Sequence, residues 1–107
     1  MAEDRRALLL LMNDVPAEHE AEFNKWYNEE HLPERVGLPG FLSSRRFVSL
    51  EGTPRYVALY DLESAAALQT PEYLALSEPT EWTRRIRTLR SSHLRNVYEE
   101  ITPPRHG

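Results

Sequence analysis

Within Phe23 to Phe47, FNKWYNEEHLPERVGLPGFLSSRRF, a carboxylate and an imidazole complete an otherwise aromatic pattern. Phe23, Trp26, Tyr27, Glu30 and His31 follow the i, i+3, i+4, i+7, i+8 spacing of one helical face. Aromatics on such a face are ordinary core, but polar groups there need partners or a task. Pro33 is expected to stop the helix, which places His31 in its last turn. There the negative end of the helix dipole favours the imidazolium. Glu29, Glu30 and Glu34 push the same way, and burial pushes against them. A histidine so poised can shuttle a proton near neutral pH, as a general acid or base must. The structural alternative is a histidine that caps helix carbonyls or bonds the second strand.

The companions of His31 follow from their chemistry. Tyr27 is its catalytic partner, and Tyr27, Tyr56 and Tyr60 offer phenolic hydrogen bonds to a carbonyl or enolate. Each also suits a core position with a satisfied hydroxyl. Glu30 either orients the imidazole or pairs with Arg45 or Arg46, the pairing being preferred. Arg46 is also a candidate for polarising a substrate carbonyl. Trp26 and Trp82 either line a pocket or fill the core. Asn13 either binds a polar ligand group or caps a turn. His93 either continues the inner face of the last helix or begins the last strand, and ranks below His31.

These residues need elements to hold them. Ala7 to Met12 is short and continuously apolar, as a strand buried on both faces would be. Asp14 to Pro16, followed by Glu18 and Glu20, opens a helix that runs to about His31 or Leu32. After the Pro39-Gly40 turn, Leu42–Leu50 and Tyr56–Leu62 read as a hairpin across Glu51–Pro54. Helical pieces are expected over 64–69, 71–76 and 81–90, the last with Trp82, Ile86 and Leu89 inward and Arg84, Arg87 and Arg90 outward. Leu94–Ile101 reads as a fourth strand and 102–107 as a mobile tail. The order βαββαβ is that of an α+β ferredoxin-like sandwich, a four-stranded antiparallel sheet with both helices on one face.

Strand one alternates Leu8, Leu10 and Met12 with Leu9 and Leu11, and strand three is apolar on both sides too. Helices cover only one face, so a second copy is expected to cover the other, giving a homodimer.

Length and charge set limits. At 107 residues the chain is expected to form one domain. Its net charge of -4 argues against nucleic acid or an anionic membrane as principal partner. The absence of cysteine removes disulfides, thiolate metal sites and thiol nucleophiles. No His-x-His or His-x3-His spacing supports a metal, and phosphate loops and serine elbows are missing from the sequence. The longest apolar run is far short of a bilayer span, and a cytoplasmic protein is the default expectation.

The block Phe23-Asn-Lys-Trp-Tyr-Asn-Glu-Glu-His-Leu-Pro33, with Leu38-Pro-Gly-Phe41 and Arg45-Arg-Phe47, resembles the dimeric α/β-barrel superfamily, and within it the EthD-like proteins. The likeness covers residues 7 to about 62. It implies two ferredoxin-like subunits packed sheet to sheet, each with a pocket between sheet and helices. Members of the superfamily include cyclases, dehydratases, lactone isomerases, cofactor-free monooxygenases and haem-degrading enzymes.

The leading expectation is a cofactor-independent lyase or isomerase acting on an aromatic, polyketide-like or lactone compound. In it His31 moves a proton beside a carbonyl. The alternatives are a cofactor-free or haem-linked monooxygenase, and a non-catalytic dimeric binding module.

Overall fold

A computed structural model of the chain describes residues 5–103. Strands β1 (Ala7–Asp14), β2 (Phe41–Val48), β3 (Tyr56–Leu62) and β4 (Ser92–Glu99) form one antiparallel sheet in the order β2-β3-β1-β4. This is the ferredoxin-like sandwich expected from the element order. Alternation decides which face the helices cover. Ala7, Leu9, Leu11 and Asn13 of β1 and Tyr56, Ala58, Tyr60 and Leu62 of β3 are buried, while the intervening residues are half-exposed. Phe23, Leu9, Tyr60, Leu62 and Ile86 form the best-buried part of the core.

The outer face is apolar and uncovered in the single chain. Pairing places Leu8 beside Tyr98, Met12 beside Leu94, and Phe47 beside Val57. Phe47, Leu94 and Tyr98 are each close to half-exposed. Polar residues on this face include Asn96, paired with Leu10, and Asp61, which accepts hydrogen bonds from Ser43 and Arg45.

The first helical segment departs from expectation at Pro33. After a 3-10 turn (Ala17–His19), α1 (Glu20–Trp26) continues through a π-helical turn (Tyr27–His31) into α2 (Leu32–Arg35). The Leu32 N–H bonds Tyr27 O, the five-residue reach of a π turn, and the Val36 N–H returns to Leu32 O. A proline inside an α-helix clashes with the carbonyl four residues earlier and leaves one acceptor without its donor. The wider π turn shifts that ladder just before Pro33 and relieves the clash, so the helix passes through it. Gly40 then turns the chain into β2 at φ +83°, and a Cβ there would lie 2.7 Å from the Ala67 Cβ.

The second helical region is broken as expected: a 3-10 turn (Ala65–Gln69), α3 (Pro71–Leu74), a 3-10 turn (Ala75–Ser77) and α4 (Glu81–Leu89). Thr80 caps α4 by accepting the Thr83 N–H. The fourth strand begins at Ser92, which places His93 in β4, and it ends at Glu99, leaving Ile101 exposed. Thr102 and Pro103 have no regular structure, and the rest of the expected tail, 104–107, lies outside the described residues.

Candidate active site

The π turn sets the geometry around His31. On an α-helix, residues five apart point about 140° from one another. A π turn stacks them. The Trp26 and His31 rings accordingly lie 4.4 Å apart, nearly parallel, and Tyr27 meets His31 edge-on at 4.8 Å. His31 is 9% exposed. Its Nδ1 faces Arg35 Nη1 at 3.2 Å. A guanidinium only donates, so Nδ1 accepts and the neutral ring carries its proton on Nε2.

Burial is the main cause that pushes the His31 pKa down to about 2, helped by the charges of Arg35, Arg90, Arg87 and His93. This corrects the expectation of a stabilised imidazolium. The helix runs four residues beyond His31, so the ring is not at the negative end. Of the neighbouring carboxylates, Glu34 Oε1 lies 4.0 Å from His31 Nδ1 but pairs more closely with Arg35, at 3.3 Å. Glu30 accepts from Trp26 Nε1 at 2.9 Å, Thr80 Oγ1 at 2.8 Å and Thr83 Oγ1 at 3.1 Å. The expected pairing of Glu30 with Arg45 or Arg46 is therefore absent, because Glu30 ties the first helical segment to the start of α4. Arg45 binds Asp61 instead.

His31 lines a cavity of about 470 Å³ between the inner sheet face and the helices. Asn13, Trp26, Tyr27 and the lower-ranked His93 line it as well, so five of the sequence candidates converge there. The other five are not among its lining residues. Arg46 lies 4.4 Å over the ring of Tyr27 and donates to Asn24 and Asn28. Tyr56 hydrogen-bonds Glu20 and Asn24. Tyr60 is fully buried with its hydroxyl unpartnered among the described residues, and burial raises its pKa and that of Tyr27. Trp82 packs against the core, and Glu30 is occupied as described above.

The sequence reading missed the cavity's dominant feature. Arg35, Arg87, Arg90 and Arg95 all line it, and no carboxylate does. Arg87 and Arg90 were expected to point outward, yet they follow Thr83 at i+4 and i+7 and share its face. That spacing was the available signal. His93 and Arg95 lie opposite Asn13 and Leu11 on the inner sheet face. His93 Nδ1 is 2.7 Å from Asn13 Oδ1 and 2.9 Å from Arg90 Nη1, and Arg95 donates to the Tyr73 hydroxyl at 3.1 Å. Burial, then Arg90, Arg87 and Arg95, lowers the His93 pKa. The result is a cationic cavity containing two histidines whose charged forms are disfavoured.

Known structures share this fold. A dimeric ferredoxin-like protein from an uncultured marine organism matches with a TM-score of 0.71 at 16% identity, over 100% of this chain and 97% of that one. SnoaB, a cofactor-independent oxygenase from Streptomyces nogalater, matches at 0.63 and 16% over 94% and 96%. An EthD family protein from Bacillus halodurans matches at 0.63 and 18% over 90% and 99%. MhuD, a heme-degrader from Mycobacterium tuberculosis solved with two hemes in its active site, matches at 0.64 and 18% over 92% and 98%. Identities this low establish the fold and leave the chemistry to the site. No protein-family model and no curated protein matches the chain. No helix among the described residues is long and apolar enough to cross a membrane, and no metal-binding cluster occurs among them.

Proposed function

We propose that the chain is a cofactor-independent monooxygenase for a small phenolic or otherwise enolisable aromatic compound. The observation that carries this reading is the neutral His31 in a cavity with four arginines and no carboxylate. Such a site stabilises an anion. A substrate held there ionises more readily: its C–H proton passes to solvent water, while the developing oxyanion accepts a hydrogen bond from the His31 Nε2–H and faces the guanidinium charges. The resulting carbanion adds dioxygen to form a C–O bond, and the peroxide anion takes up a proton from solvent. Loss of water from the peroxide then leaves a carbonyl, so that CH2 and O2 become C=O and H2O. The fold it shares with a cofactor-independent oxygenase supports the same direction. Lyase or isomerase chemistry begins with the same anion and differs only in reprotonating it, so dioxygen dependence separates the two.

Haem fits these residues poorly. A ligating imidazole normally donates its other ring N–H to an acceptor. The ring nitrogen of His31 that would have to do so faces the Arg35 guanidinium. Pairing of two chains through the outer sheet face belongs to the same proposal, supported by the exposed apolar residues Phe47, Leu94 and Tyr98.

The test uses a hydroxylated anthrone, whose CH2 is acidic because its carbanion is a phenolate. The expected result is stoichiometric oxygen uptake without added metal or flavin, retained in part by His31→Gln, which keeps a donor, and lost in His31→Leu. Anaerobic turnover at an unchanged rate would replace the oxygenase with an isomerase or lyase. A His31-dependent Soret band on adding haemin would overturn the cofactor-free assignment.

A further inference from the structure

We propose that the cavity recognises an aromatic acid, its carboxylate held by Arg90 and Arg35 and its ring against the Leu9, Leu11 and Trp26 wall. This deepens the reading of the cavity as a substrate site and rests on it.

Four arginines on one cavity are not a reflection of overall composition, because the chain carries 13 basic and 17 acidic residues. Like charges brought together repel. Of the arginines outside the cavity, Arg45, Arg55 and Arg85 are each neutralised by a carboxylate, of Asp61, Glu20 and Glu22, and Arg46 is held by Asn24 and Asn28. Arg87, Arg90 and Arg95 have no ion pair among the described residues, and Arg35 has only its sequence neighbour Glu34. The Nε atoms of Arg35 and Arg90 are also buried without a hydrogen-bond partner among those residues. A buried donor left unpaired is costly, and one on a guanidinium more so. Those Nε atoms are closed to the cavity, so an incoming acid meets the terminal nitrogens, where a planar carboxylate matches the planar guanidinium. Arg87 and Arg95 are exposed, suiting them to draw an anion towards the cavity. The apolar wall separates an aromatic acid from a free inorganic anion, which would gain nothing from Leu9, Leu11 and the Trp26 ring.

Binding is read by quenching of Trp26, which lines the cavity, in a Trp82→Phe background. The probes are 1-naphthoate, its neutral isostere 1-naphthamide, and inorganic phosphate. Naphthoate is expected to bind at least about tenfold more tightly than the amide or phosphate, and to weaken as salt is added. Arg90→Gln should cost naphthoate roughly 10- to 100-fold while leaving the amide unchanged, with part of the loss restored by Arg90→Lys. Arg35→Gln, at the other residue assigned to hold the carboxylate, provides the same comparison if Arg90→Gln does not fold. Equal affinity for acid and amide overturns the proposal, as does phosphate matching naphthoate. Neither measurement needs turnover. Naphthoate binding without oxygen uptake on the anthrone therefore refutes the oxygenase alone, and uptake without acid preference refutes the anion site alone.

Discussion

Replacing His31 by glutamine removes a group that is neutral when folded and basic when unfolded, and the pH dependence of stability reads the difference directly. The folded pKa is pushed down to about 2, against about 6.5 in an unfolded chain. Below the unfolded value the unfolded chain binds a proton that the native state does not. Stability therefore falls as pH drops from about 6.5 towards 2. At about pH 4.5, two pH units below the unfolded pKa, this single site destabilises the native protein by roughly 2.7 kcal/mol relative to neutral pH. Glu20 and Glu22, whose pKa values are lowered by their hydrogen bonds to Tyr56 and Arg85, also lose stabilisation in acid. They are common to both proteins and cancel in the comparison. Urea unfolding of wild type and His31→Gln at about pH 7.5 and pH 4.5 gives a difference of differences. The variant is expected to be the less stable at neutral pH and to recover about 2–3 kcal/mol relative to wild type in acid. If the gap between the two stays constant to within about 0.5 kcal/mol, His31 is not held neutral by its surroundings, and the donor role assigned to it fails.

Three further outcomes follow from other contacts. Glu30→Leu removes the acceptor shared by Trp26, Thr80 and Thr83 and should cost about 2–3 kcal/mol in urea unfolding; a neutral effect would mean that α4 is not anchored there. Gly40→Ala combines a positive φ with a 2.7 Å approach to Ala67, and about 2–4 kcal/mol of destabilisation is expected in the same assay. Leu10→Lys places a charge on the outer sheet face; sedimentation should show a dimer in wild type and a 12.5 kDa monomer in the variant. A monomeric wild type at micromolar concentration would refute sheet-to-sheet pairing.

The fold was legible because hydrophobic periodicity and turn residues are local signals: the apolar runs at 7–12 and 56–62, the Pro39-Gly40 turn and the helical spacing of Trp82, Ile86 and Leu89 all lie within a few residues of their causes. His31, Trp26, Tyr27 and Asn13 were within reach for the same reason. Arg46, Tyr56 and Tyr60 were not distinguishable from pocket residues, because the sequence does not say which side of Tyr27 an arginine from β2 will occupy. The arginine cluster was harder still. Arg35, Arg90 and Arg95 come from α2, the end of α4 and β4, and only the folded chain brings them together. A charged residue near a helix end reads as solvated until something shows what it faces.

The π turn at Tyr27–His31 makes the helix sensitive to chain length in a way that no substitution reveals. One extra residue accommodated within a regular helix produces such a turn, so deleting either Asn28 or Glu29 would allow the segment to close as plain α-helix. Deletion would leave His31 four residues after Trp26, and at about 100° per residue the two would still share a face, roughly 40° apart. The register of everything after the deletion relative to α1 would therefore be kept. What would be lost is the wide turn itself, so Pro33 would meet the carbonyl four residues before it and the helix would bend or end there. Homologues one residue shorter here should therefore keep the histidine over the sheet and either lack the proline or stop the helix at it.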